Sequence, residues 1–303
     1  MMSISQILCP IDFSEFSRHA VHHACAVARW YDARLTVLHV SSNAWRELDL
    51  PPLEVARLDR DLVLREMKAF VGEPGAGVAV SCVACEASDV RREILTQASA
   101  LAADLMVMGT HGRTGFERLL LGSVTETVIR KAPCPVMVVP RAAHDAEPAK
   151  PVSFRGVLCP VDFSDGSLNA LQYALSIAQE ADADLTLLHA IELPPELAEH
   201  PMTPPIDVDA IRAATEAARL RHLRELVPDS VRTYCRVHTM VREGAAHVEI
   251  LKTAAELHSD LIVMGVQGRG AVDLLVFGSN TLRVCRGAAC PVLTVPLRRP
   301  RRP

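Results

Sequence analysis

The chain has 303 residues, enough for about two domains, and with 49% hydrophobic and 22% charged residues it has the balance of ordinary globular cores. A net charge of −4 gives no general case for a polyanion partner, so neither nucleic acid nor a membrane surface is expected. No apolar stretch is long enough for a span or an export leader, and nine cysteines without compact spacing read as reduced thiols, so the expected setting is cytoplasmic.

In chain order, the apolar run 7–11 predicts a strand and the alanine-rich segment 14–31 a helix. A strand over 35–40 and a helix over 55–71 follow, then a strand over 78–85 and a helix over 90–102. The block closes with a strand over 105–108, a helix over 124–131 and a strand over 135–139. Short apolar strands alternating with helices predict an α/β fold with a doubly wound parallel sheet, joined by right-handed crossovers. Ligands of such sheets bind beyond the carboxyl ends of the strands, where strand order reverses.

The same block then recurs. Residues 7–40 share 16 identities in 34 with residues 157–190, and residues 104–140 share 19 in 37 with residues 260–296. The offset grows from 150 to 156, which places six extra residues in the proline-rich stretch Pro194–Pro205. The polar stretch Arg141–Ser153 separates the copies. The expected organisation is a first domain over 1–143, a linker over 144–151, a second domain over 152–297 and a basic tail over 298–303. That tail, Arg298, Arg299, Arg301 and Arg302 broken by prolines, reads as a solvated terminus.

Each copy carries a glycine pattern at the end of its fourth strand. Gly109 and Gly112 are followed, after nine intervening residues, by Gly122-Ser123; Gly265 and Gly268 are followed at the same spacing by Gly278-Ser279. Glycines at a strand end permit a positive φ and a close backbone approach. A helix beginning at Ser123 or Ser279 directs unpaired N–H groups and a partial positive charge to that place, which suits phosphate. Ser123-Val124-Thr125-Glu126 also satisfies a capping box, so Ser123 could serve as a helix cap alone. The second copy speaks against that as a full account, because Leu282 replaces Glu126 while Gly278-Ser279 is kept. No Gly-Lys-Ser/Thr occurs, so this is not a Walker loop. Arg113 and Arg269, next to the second glycines, are either forked phosphate contacts or solvated loop charges.

With Pro10-Ile11-Asp12-Phe13-Ser14, Leu38-His39-Val40 and Ala132-Pro133-Cys134-Pro135-Val136, and with their second-copy counterparts, the whole chain resembles a tandem universal stress protein of the ATP-binding subgroup. The resemblance implies two tandem Rossmann-like domains of the adenine nucleotide alpha hydrolase-like type, each a doubly wound five-stranded parallel sheet. It makes Asp12 the acid that approaches the nucleoside and Val40 a main-chain contact to adenine. Gly109, Gly112, Gly122 and Ser123 would wrap the phosphates. The second set is Asp162, Ala190, Gly265, Gly268, Gly278 and Ser279. The implied cofactor is ATP, or AMP or another adenine nucleotide, with Mg²⁺. The implied partners are the other half of the chain in an intrachain pseudo-dimer, a further homodimer, and a protein partner that the sequence does not identify.

Other candidates carry less. Cys82 and Cys85 lie three apart on a strand and so face opposite ways, which disfavours a metal knuckle. His19, His22 and His23 read as a solvated helix face, and His39 and His189 as packed histidines or ligands. No water-positioning base is paired with an arginine finger and a metal-binding acid, so efficient hydrolysis is not expected. The expected function is nucleotide-dependent conformation or partner binding in a stress response. The alternatives are a weak ATPase or nucleotidyl-transferring enzyme, and a structural dimerisation module with a vestigial second site.

Overall fold

The computed structural model describes residues 3–42, 60–72, 75, 77–111, 121–140, 152–192, 208–233, 235–267 and 278–297. These form two compact units, Met1–Ser153 with Cys285–Pro296, and Phe154–Val284 with Leu297–Pro303. The expected linker, the Pro194–Pro205 stretch and the basic tail lie outside the described residues. Among the described residues no helix is long and apolar enough to cross a membrane.

The first unit begins with β1 (Gln6–Ile11), α1 (Glu15–Trp30), β2 (Arg34–Ser42) and α2 (Arg60–Val71). It continues with β3 (Val80–Ala87), α3 (Val90–Ala100), β4 (Leu105–Gly109), α4 (Ser123–Lys131) and β5 (Val136–Val139). The five strands run parallel in the order β3-β2-β1-β4-β5, so strand order reverses between β1 and β4. Helices on both faces explain why β1, β4 and β5 are almost wholly buried and read as unbroken apolar runs. β2 and β3 extend beyond their expected ends because their parallel register continues to Ser42↔Ala87. A sixth strand, β10 (Val292–Val295), joins this sheet antiparallel to β5 and makes it mixed.

The second unit repeats the plan with β6 (Gly156–Pro160), α5 (Asp165–Glu180), β7 (Asp184–Ile191), α6 (Val208–Glu225) and the short α7 (Asp229–Arg232). β8 (Val237–Glu243), α8 (Ala246–Glu256), β9 (Leu261–Gly265) and α9 (Ser279–Gly287) follow. Its strands run parallel in the order β9-β6-β7-β8.

Two local devices recur in both units. Asp104 and Asp260, just before β4 and β9, clamp the start of the neighbouring strand. Asp104 Oδ2 accepts from the Ser5 and Gln6 amides at 2.9 and 3.0 Å, and Asp260 Oδ2 from the Arg155 and Gly156 amides at 2.7 and 3.0 Å. These clamps stand at the amino ends of the strands and leave the carboxyl ends to the site. The second device is a left-handed residue after α1, α3, α5 and α8, filled by Asp32, Ala102, Asp182 and His258 with φ between 47° and 51°. After α1, the Asp32 amide reaches Arg29 O and the Ala33 amide reaches Ala28 O, the paired bonds of a Schellman close.

Candidate functional site

The expected residues can be followed along the carboxyl ends of the strands. Asp12 directly follows β1. Its Oδ1 accepts from the Ser14 amide at 3.0 Å and from the hydroxyls of Ser14 and Ser17 at 2.5 and 2.6 Å. The cap of α1 is Ser14, whose hydroxyl accepts from the Ser17 amide, so Asp12 is not the cap but the anchor beneath it. Asp162 repeats the two Ser14-type bonds with Ser164, while the Ser167 hydroxyl turns to Ser164 O. Between acid and cap sit Phe13 and Phe163, both at φ +64°, a left-handed conformation that costs a bulky residue about 1–3 kcal/mol. Each ring lies 4.7 Å from the imidazole of His39 or His189.

Those imidazoles are held by main-chain carbonyls. His39 Nδ1 lies 3.0 Å from Ile11 O and His189 Nδ1 lies 2.7 Å from Val161 O. A carbonyl only accepts, so Nδ1 carries the proton in both rings. The next residues are Val40 and Ala190. β1 pairs with β2 only as far as Ile11↔His39, whereas β2 pairs with β3 as far as Ser42. The edge of β2 that faces β1 thus runs on past the end of its partner at Val40. β7 does the same at Ala190, since β6 stops at Pro160↔Leu188 and β8 continues to Glu243.

The glycines correct one expectation. Gly109, Gly122, Gly265 and Gly278 do not occupy the positive-φ region, and Gly122 has φ −58°. They are needed for closeness, not for the turn. A Cβ on Gly109 would stand 2.8 Å from Phe16 Cβ and 3.0 Å from its main chain, and one on Gly265 would stand 2.7 Å from the main chain of Gly166. A Cβ on Gly122 would meet Thr110 O at 3.2 Å, and one on Gly278 would meet Val266 O at 2.9 Å. The strand end is thereby pressed between the first turn of one helix and the start of another. The Gly122 amide donates to Thr110 O at 2.8 Å and the Gly278 amide to Val266 O at 2.9 Å, closing the loop at its base.

The capping-box alternative also falls. The cap of α4 is Gly122, which makes no side-chain cap bond, and Ser123 is the first helical residue, with its side chain exposed. Glu126 does not reach back; Arg130 holds its Oε1 at 3.0 Å and Arg286 its Oε2 at 3.1 Å. The leading N–H groups of α4 therefore have no side-chain cap across them. The structure brings Gly109, Gly122 and Ser123 onto one rim with the first turn of α1, to which Asp12 is tied. In the second unit, Gly265, Gly278 and Ser279 meet the first turn of α5 in the same way. Gly112, Arg113, Gly268 and Arg269 lie outside the described residues.

Two positions escaped the sequence reading. Buried Thr125 donates its hydroxyl to Gly109 O at 2.9 Å, and Thr281 donates to Gly265 O at 3.0 Å, each locking the strand end to its helix. Their recurrence at the 156-residue offset was the available signal. Among the described residues no group of three His, Cys, Asp or Glu side chains could hold a metal ion. His23 Nδ1 bonds His19 O within α1.

The universal stress protein family model matches residues 3–140 and again 153–296. The chain belongs to the universal stress protein family. Universal stress proteins of Mycolicibacterium smegmatis and Mycobacterium tuberculosis are 27% and 29% identical over 302 and 301 residues, covering 95% of this chain and 96% and 95% of theirs. Among solved structures, a universal stress protein of Pseudomonas aeruginosa superposes with a TM-score of 0.66 at 21% identity, covering 96% of this chain and 93% of that one. One of Archaeoglobus fulgidus gives 0.65 at 22% identity, covering 96% and 98%. Both share the fold of this universal stress protein over 96% of its length.

Proposed function

We propose that this universal stress protein binds adenine nucleotide, ATP foremost, in both repeats, and that the bound nucleotide governs conformation or partner binding in a stress response. The observation that carries this reading is the twofold recurrence of one constellation. A strand end is locked by a threonine, and a Gly-Ser helix start is closed onto it by an amide bond of 2.8–2.9 Å. For α4 that helix start has no side-chain cap, so its N–H groups are left to an anion. Val40 and Ala190 offer main chain to the base from strand edges that outrun their partners, and Asp12 and Asp162 stand between base and phosphates. Arg113 and Arg269 are the cations nearest the motif in sequence. With no acidic cluster among the described residues, Mg²⁺ would be held by phosphate oxygens and water rather than by a protein cage. The histidines beside the site hold Nδ1 on the carbonyls of Ile11 and Val161, and Asp12 holds Oδ1 on two serines, which fixes these groups in place.

The test is equilibrium unfolding with and without ATP and Mg²⁺. At a hundredfold excess over Kd the native state gains about 2.7 kcal/mol per site. Gly122→Asp removes the share of the first site by placing a carboxylate where phosphate goes. A midpoint unmoved by saturating nucleotide overturns the reading. Phosphate release in the same samples should stay far below about 10 per second, the median enzyme rate.

A further inference from the structure

The repeats share the Gly-Ser helix start but not the charge placed behind it. α4 carries Glu126 in its first turn, whereas α9 has Leu282 at the matching position and no acid in its first turn. A carboxylate one turn inside a helix start is drawn to the partial positive charge there and opposes any other anion offered to the same N–H groups. In α4 both carboxylate oxygens are taken up. Arg130, four residues on, holds Oε1 at 3.0 Å, and Arg286 holds Oε2 at 3.1 Å. Arg286 is the repeat counterpart of Arg130, but its own helix offers Leu282 where Arg130 finds Glu126. It stands in the last turn of α9 and belongs with β10 to the first compact unit. α4 leads into β5 and α9 into β10, and the antiparallel pairing of those strands joins the two chain segments. Glu126 and Arg286 are 28% and 36% exposed, and pairs of this kind contribute little to stability. What this one changes is the charge at the start of α4.

We infer that Arg286, carried by the second repeat, is a positioning residue for the first nucleotide site. With Arg130 it holds the Glu126 carboxylate and cancels its charge, so the affinity of α4 for phosphate depends on β10 being paired with β5. This rests on the nucleotide reading above and goes beyond it by making the first site incomplete without a residue of the second repeat. The dependence runs one way. Leu282 brings no charge to the first turn of α9, so the second site needs no such compensation.

The experiment titrates ATP with Mg²⁺ into the full chain by calorimetry, using Gly278→Asp to isolate the first site and Gly122→Asp to isolate the second. Arg286→Ala should weaken the first site about fivefold, the size expected of one charge near a helix end, and leave the second unmoved. Adding Glu126→Gln to Arg286→Ala should restore the first site, because no carboxylate remains to be cancelled; a merely structural role for Arg286 gives no such rescue. Raising the ionic strength should shrink the loss, as screening requires. The denaturation midpoint of the nucleotide-free chain should be nearly the same with and without Arg286. A first site indifferent to Arg286, a loss that Glu126→Gln does not restore, or an equal loss at the second site overturns this inference while leaving the nucleotide reading intact. No binding of ATP to the unmodified chain overturns both.

Discussion

Ser123 and Ser14 are both serines at helix starts, yet the structure gives them opposite work. Ser14 caps α1 with its hydroxyl and shares Asp12 Oδ1 with Ser17, whereas Ser123 is already inside α4 and caps nothing. Ser14→Ala should therefore cost about 1 kcal/mol of stability, in the usual range for a lost cap. Ser123→Ala should leave stability within about 0.5 kcal/mol, as an exposed substitution does, and weaken ATP binding roughly tenfold, or about 1.4 kcal/mol. Unfolding curves beside nucleotide titrations separate the two, and a destabilised Ser123→Ala with normal affinity would restore the cap reading. The sequence reading misjudged the reason for the glycines. Closeness to Phe16 or Val266 is a tertiary fact with no local signature. The left-handed positions went to Phe13, Asp32 and Ala102, which nothing in composition marks.

Helix ends carry this lesson at the next scale. Each strand and helix of the first repeat was legible from apolar periodicity, because buried parallel strands leave continuous runs and amphipathic helices do not. The bounds were less so: β3 runs two residues later than expected because its partner β2 sets the register, and α3 ends at Ala100, with Ala102 turning left-handed behind it. The paired bonds of that close, Ala102 amide to Ser99 O and Ala103 amide to Ala98 O, do not depend on the side chain. Ala102 thus bears the left-handed penalty of about 1–2 kcal/mol, against about 0.5–1 kcal/mol of extra unfolded-state entropy for glycine. Ala102→Gly should stabilise the protein by roughly 0.5–1 kcal/mol. A lower denaturation midpoint in that variant would mean the methyl group, not the backbone, sets the balance.

At the scale of the whole molecule, two buried features set the outer limits of stability. Burial pushes the thiols of Cys134, Cys159 and Cys285 from the ordinary 9.0 up to about 12 and that of Cys25 to about 11, and drives Cys9 up as well. Raised folded-state values mean that the unfolded chain loses these protons first. The stabilisation is full below pH 9 and is lost as pH climbs towards 12, by up to about 1.4 kcal/mol per pH unit for each thiol. Alkaline unfolding should therefore begin above pH 9, and Cys159→Ala should flatten its slope. The second feature is the β5–β10 seam. Val136, Val138 and Val139 are at most 1% exposed, and Val138↔Val292, Met137↔Leu293 and Val136↔Thr294 are the paired positions. Met137 and Leu293 are equivalent in the repeat, so the strand pair has a local twofold at its centre, as matching copies of one edge require. Expressed alone, residues 1–143 would expose an apolar β5 edge, an open template for another chain. Two such copies can rebuild the same register with Met137 opposite Met137. They would lose only the bond from the Thr294 hydroxyl to Val136 O, because Val138 takes the place of Thr294. The isolated first repeat should therefore sediment as a dimer, and Met137→Lys should return it to monomer by placing like charges across the axis. A well-folded isolated repeat that remains monomeric at high concentration would show that the seam depends on the tether between the copies and not on the edge itself.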